Sequence, residues 1–147
     1  MIRNAKMTRR LIFAASLCAS ALSAAGAADL TVTVSGIRNA SGSVSAGVFN
    51  SESSFAKPSE ALASFRIKSG QGSIRFTVHD LPPGRYAVTA YHDENGNGRL
   101  DFDPTGVPTE GYGVSNDARE LLAPPRFAKA AFEVRDQNKS VTVNIGY

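Results

Sequence analysis

The 147-residue chain has no tryptophan, only two histidines and a single cysteine, Cys18. One cysteine closes no intrachain disulfide, so packing alone must hold the fold. With no further cysteine and no paired-histidine spacing, a zinc centre lacks its usual ligands. No Gly-x-Ser-x-Gly elbow is present, and imidazole chemistry is limited to His79 and His92. Nowhere after residue 28 does a 3.6-residue apolar period persist for three turns, so long amphipathic helices are not expected.

Acid is also missing from the N-terminus, where Arg3, Lys6, Arg9 and Arg10 precede the apolar run Leu11 to Leu22 and the small-residue tract Ser23 to Ala28. That order predicts a cleavable signal peptide over 1–28, cut after Ala25, Ala27 or Ala28 by a peptidase that accepts small residues. The protein is therefore expected to be exported, periplasmic or secreted, by the general secretory route. A spanning helix needs about 20 predominantly apolar residues, and this run is shorter and broken by Ser16, Cys18 and Ser20. No membrane span is expected. Leu17 occupies the position before Cys18 where a lipoprotein signal places a small residue, which argues against a lipid anchor. Loss of the leader removes four of 16 basic residues and none of 13 acids, leaving a net charge of about −1. The basic footprint of a nucleic-acid binder is then absent.

The remaining residues, 29–147, suit one domain. Leu30 to Val34 alternates apolar and polar, the period of a strand with one buried face. Asn39-Ala40-Ser41-Gly42 reads as a turn and Ser43 to Asn50 as its partner strand. Ser64 to Lys68, Ser73 to His79 and Arg85 to His92 come next, the last after the turn Asp80-Leu81-Pro82-Pro83-Gly84. Phe127 to Arg135 and Val141 to Tyr147 complete about seven strands. The pattern predicts an all-β domain, a single antiparallel β-sandwich of immunoglobulin-like or transthyretin-like type, with one long loop between the fifth and sixth strands. A membrane barrel is disfavoured, since its strands need about 9 to 11 residues with a lipid-facing apolar band.

The chemistry concentrates in that loop. Asp93-Glu94-Asn95-Gly96-Asn97-Gly98-Arg99-Leu100-Asp101 places side-chain oxygens at positions one, three, five and nine and glycine at six, most of a calcium loop of EF-hand type. Arg99 would offer its carbonyl. Position twelve is Pro104 instead of glutamate, so Asp103 or Glu110 would have to substitute. Six of the 13 acids lie between Asp93 and Asp117, with Arg99 the one base among them. The predicted metal residues are thus Asp93, Asn95, Asn97, Arg99, Asp101, Asp103 and Glu110. A second reading stands beside it: Asn95-Gly96 and Asn97-Gly98 are strong turn dipeptides, and a solvated hairpin explains them too. Further along, Tyr112 between glycines, with Ser115, Asn116 and His92, could form a ligand-facing surface. The same residues equally suit a loop folded back with Tyr112 packed on the sheet edge.

The combination Gly84-Arg85-Tyr86-Ala87-Val88, His92 to Gly98, Glu110-Gly111-Tyr112-Gly113 and Pro125-Arg126-Phe127 resembles the bacterial domain of unknown function 2141 family. The resemblance spans nearly all of the domain and implies a small exported β-sandwich without an established activity or catalytic residue. The Pro-Gly-x-Tyr turn is also similar to that of transthyretin-like and carboxypeptidase-regulatory-like modules, by analogy. The leading expectation is a non-catalytic accessory or binding module whose loop, organised by calcium, meets a protein, peptide or glycan. The alternative is a small hydrolase using His92 with Asp93 or Glu110.

Overall fold

The computed structural model describes residues 26–120 and 123–147. The expected leader therefore lies outside the described residues as far as residue 25. The described chain is all-β, with eight strands in two packed sheets and no closed barrel. The strands are β1 (Ala28–Ile37), β2 (Ser43–Phe49), β3 (Ala63–Lys68), β4 (Gly72–Leu81), β5 (Gly84–Asp93), β6 (Tyr112–Val114), β7 (Phe132–Val134) and β8 (Lys139–Asn144). The smaller sheet runs β4-β1-β8 and the larger β3-β2-β5, with β6 and β7 succeeding one another along the free side of β5.

Alternation decides which residues meet between the sheets. Leu30, Val32 and Val34 of β1, with Val143 of β8, face Val44, Ala46 and Val48 of β2 and Val88 and Ala90 of β5, all buried. Phe65 and Phe76 stack across the gap with ring centroids 4.2 Å apart. The Tyr86 hydroxyl donates to the Pro82 carbonyl at 2.7 Å, tying β5 to the turn that precedes it, and burial pushes this phenol's pKa up.

The outer face of the larger sheet carries a second apolar cluster. A helical turn α1 (Glu52–Phe55), started by the Ser51 side chain capping the Ser54 amide, lays Phe55 against Phe49 with centroids 5.3 Å apart. A second turn, α2 (Phe127–Ala130), brings Phe127 to within 5.8 Å of Phe55. Ala87, Val114 and Ala130 fill the space beneath.

Three features differ from the sequence expectations. Phe127 to Arg135 is not one strand: Ala128, Lys129 and Ala130 favour helix, and a helical turn drops Phe127 into the second cluster, leaving only Phe132–Val134 as strand. The final strand stops at Asn144, after which Gly146 bonds back to Tyr112 and Tyr147 leaves the alternation. Finally, β8 lies parallel to β1, so the sandwich is antiparallel except at this pair. The eighth strand, β6, falls inside what reads as loop because three residues are too few to show a period.

Leu30 is fully buried between the sheets. Leu30→Ala should cost about 3 kcal/mol in urea unfolding through lost contacts and the cavity left behind. An effect below about 1 kcal/mol would mean that this face of β1 is not core.

Candidate functional site

The β5 strand ends by placing two polar side chains inside the protein. His92 continues the inward face and Asp93 the outward one, and neither has any exposed surface. Asp93 is buried because the chain after it curls back over the outer face of the sheet. Its Oδ1 accepts the Asn97 N–H at 3.0 Å and its Oδ2 the Gly98 N–H at 2.8 Å. Arg66 of β3 adds a longer contact to Oδ2 at 3.3 Å, and the Tyr91 hydroxyl donates to the Gly98 carbonyl at 3.0 Å. Gly96 and Gly98 take positive φ, 75° and 86°, which lets the chain turn tightly enough to aim those amides back. Gly42 (φ 64°) supplies the floor, since a Cβ there would overlap the Asp93 carbonyl oxygen.

Glu110 is buried on the other side of the loop, where its two oxygens accept the Glu94 N–H at 3.0 Å and the Asp101 N–H at 3.3 Å. Two carboxylates thus stitch the loop to the sheet through main-chain donors. Between them, Asp101 Oδ2 accepts from the side-chain amides of Asn95 at 2.7 Å and Asn97 at 2.6 Å, and Oδ1 from Arg99 Nε at 3.1 Å. These bonds, that from Asn95 foremost, hold the Asp101 pKa below its ordinary value. Asp103 caps its own turn: Oδ1 accepts from the Thr105 hydroxyl at 2.6 Å and from the Thr105 and Val107 amides at 2.8 and 3.0 Å, which likewise lowers its pKa.

His92 is satisfied on both ring nitrogens. Nε2 lies 2.8 Å from the Ser41 carbonyl and 2.8 Å from Ser69 Oγ, while Nδ1 lies 2.7 Å from the Tyr147 hydroxyl. A carbonyl only accepts, so the ring proton is assigned to Nε2 and Nδ1 accepts from tyrosine. The Tyr147 oxygen in turn accepts the Arg38 N–H at 3.2 Å, and the Arg38 guanidinium lies 4.1 Å from the Tyr147 ring centroid. Arg38 also pairs with Glu94, which is held below the usual carboxylate range chiefly by that bond.

The predicted metal residues are therefore only partly gathered. Asp93, Asn95, Asn97 and Asp101 share one loop and bond to one another, whereas Asp103 serves its own turn, Glu110 serves backbone amides, and Arg99 holds Asp101 with its side chain. Among the described residues no group of three or more His, Cys, Asp or Glu comes together as a metal cage. The first four positions carry oxygens of the kind a hard cation takes, but each accepts from donors of the loop itself, and a closing carboxylate is lacking. The asparagine amides, uncharged donors, stabilise the ionised Asp101 by hydrogen bonding.

The residues predicted to face a ligand are structural in large part. His92 turns inward. Ser115 is also buried, accepting the Val88 N–H at 3.0 Å and donating to the Ala130 carbonyl at 2.7 Å. Asn116, at φ 58°, reaches the carbonyls of Lys129, Ala130 and Ala131 and so closes α2. Tyr112 is half-buried in β6, its hydroxyl on the Glu120 carbonyl at 2.7 Å and its pKa raised by burial. The loop's exposed apolar side chains are instead Phe102 (58 % exposed) and Val107, on a turn braced by Asp103 and by pairing of Phe102 with Pro108. Sequence reasoning missed these and the partners Arg66, Ser41, Ser69 and Tyr147. The alternation of β3, which puts Arg66 outward beside β2, was the available signal for Arg66.

The family described as an uncharacterized protein conserved in bacteria (DUF2141) matches residues 32–142. No curated protein and no solved structure matches the chain.

Asp93→Ala removes one buried carboxylate and orphans two amides, and should cost about 3 kcal/mol in chemical denaturation. Asp101→Ala, at the surface, should cost less. Asp101 and Asp103 titrate below 3.8 in the folded loop, so their stabilisation is complete above that pH and is lost as pH falls through the lowered values. Carboxyl carbon shifts followed by NMR should give both midpoints under 3.8; midpoints at or above it would contradict these hydrogen bonds.

Proposed function

The chain belongs to the DUF2141 family of bacterial proteins, and from that premise we propose that it is an exported, non-catalytic binding module whose partner is a protein met by the Asp93–Glu110 loop. One observation carries this reading: the loop is fastened at both ends by buried carboxylates yet holds Phe102 out in solvent on a braced turn. A rigid apolar anchor loses little entropy on docking, and aromatic anchors of this kind dominate interface energetics. The acids around it favour a partner pocket rimmed by basic groups. Against catalysis stands the burial of His92, whose two ring nitrogens are both engaged, Nδ1 by the Tyr147 hydroxyl.

Calcium belongs to the proposal as a structural ligand of Asp93, Asn95, Asn97 and Asp101. With one closing carboxylate missing, affinity falls in the weak extracellular range of about 10⁻⁴ to 10⁻³ M. Within the export reading, one of the three cut positions is favoured. Ala28 is 2 % exposed and pairs with Leu81, so removing it would shorten the core. Cleavage after Ala27, behind Ala25-Gly26-Ala27, preserves it.

Three measurements test these statements. Amino-terminal sequencing of the exported protein should read Ala28 first, and retention of the leader would overturn export. At 100 times the dissociation constant calcium should add about 2.7 kcal/mol, raising the melting temperature relative to chelator, while magnesium should not. An unchanged melt removes the metal. A photo-crosslinking residue at position 102 should trap a specific partner in the exporting cell that the same residue at exposed Leu62 does not; equal trapping from both positions argues against the loop tip.

A further inference from the structure

Pairing of β2 with β3 and β5 sets side chains on the outer face of the larger sheet in rows. Arg66, Ser45 and Tyr91 form one row; Ser64, Gly47 and Thr89 form the next. Ser45 is small, so a trough of about 310 Å³ opens over it, closed at the Gly47 end by the Phe49 ring. Phe49 and Pro58 line it toward α1. Arg66 and Tyr91 line it toward the Asp93 loop, through their contacts with Asp93 and Gly98. The flanking strands are two spacings apart, about 10 Å, which leaves room for one pyranose ring lying flat.

Gly47 is no sign of a ligand, because the Phe49 ring occupies the space its side chain would need. The hydroxyls carry more weight. Ser45, Ser64 and Thr89 line the trough, and their hydroxyls make no hydrogen bond among the described residues. Each both donates and accepts, as sugar hydroxyls do. The Arg66 side chain is 52 % exposed and spends one amino group on Asp93, and its other donors have no partner among the described residues. A guanidinium so placed suits a carboxylate. An extended peptide is a poor occupant, because β2 is paired on both sides and offers no free backbone edge.

We propose that this trough binds an acidic oligosaccharide, with one hexuronate unit along β2, its carboxylate on Arg66, its hydroxyls on Ser45, Ser64 and Thr89, and its C–H face on Tyr91. The site is separate from the loop tip and needs neither Phe102 nor calcium.

The test is an NMR titration of the protein purified from cells expressing the full sequence, against tetragalacturonate and tetramannuronate, with neutral cellotetraose as control. One or both acidic sugars should bind with a dissociation constant of about 1 mM or below and shift residues 45–47, 64–66 and 89–91. Cellotetraose should bind at least about tenfold more weakly for want of the charged contact. Ser45→Tyr fills the trough at a strand position that accepts aromatics, and should abolish binding. Arg66→Gln should bring the acidic sugar down to the neutral one; since Arg66 also touches Asp93, a melt checks its folding, and Ser45→Tyr carries the test if it unfolds. Phe102→Ala should leave the titration unchanged, which separates this site from the loop reading. Shifts confined to 95–108, equal binding of the neutral sugar, or no binding of either acid at about 10 mM would overturn the proposal.

Discussion

A carboxylate without exposed surface at the end of β5 constrains everything around it. Asp93 cannot be left unpaired there, because an unsatisfied buried charge costs several kcal/mol. The chain meets that demand with the amides of Asn97 and Gly98, which obliges the next residues to curl over the outer face of the sheet. That curl brings Gly98 to the Tyr91 hydroxyl and lays the loop beside Arg66. Glu110 repeats the device from the far side, so the loop is held by backbone amides at both ends. Its order needs no disulfide and no apolar core of its own.

The same sheet face is occupied at its other end by aromatic packing. Phe49, Phe55 and Phe127 form a small core that α1 and α2 cover, and Ser115 and Asn116 fasten it to β5 and to the carbonyls of α2. The outer face is therefore divided in three: apolar packing at one end, polar closure at the other, and small side chains between. Each part arises from the residues that alternate outward along β2, β3 and β5.

Much of the fold was legible. The alternation of Leu30 to Val34 and of Val141 to Ile145, and the turn at Pro82-Pro83-Gly84, identify strands whose faces the structure keeps. The Phe127 segment misled because Phe127, Ala130, Phe132 and Val134 suit more than one period, and the long-range partner Phe55 decides which holds. Within the site, the density of acids in the loop was plain, but their use was not. Sequence spacing names the oxygens of the loop but not the donors that meet them in the fold, asparagine amides and main-chain N–H groups. The burial of His92 was invisible because Ser41, Ser69 and Tyr147, which satisfy it, lie 51, 23 and 55 residues away.

The parallel pairing of β1 with β8 joins residues 109 apart in the chain. Half of the smaller sheet cannot assemble until the last strand is available, and such distant closure makes folding slow compared with local hairpins. Until β8 pairs, the free edge of β1 can take a strand from another chain, so this edge is where misassembly of the sandwich would begin.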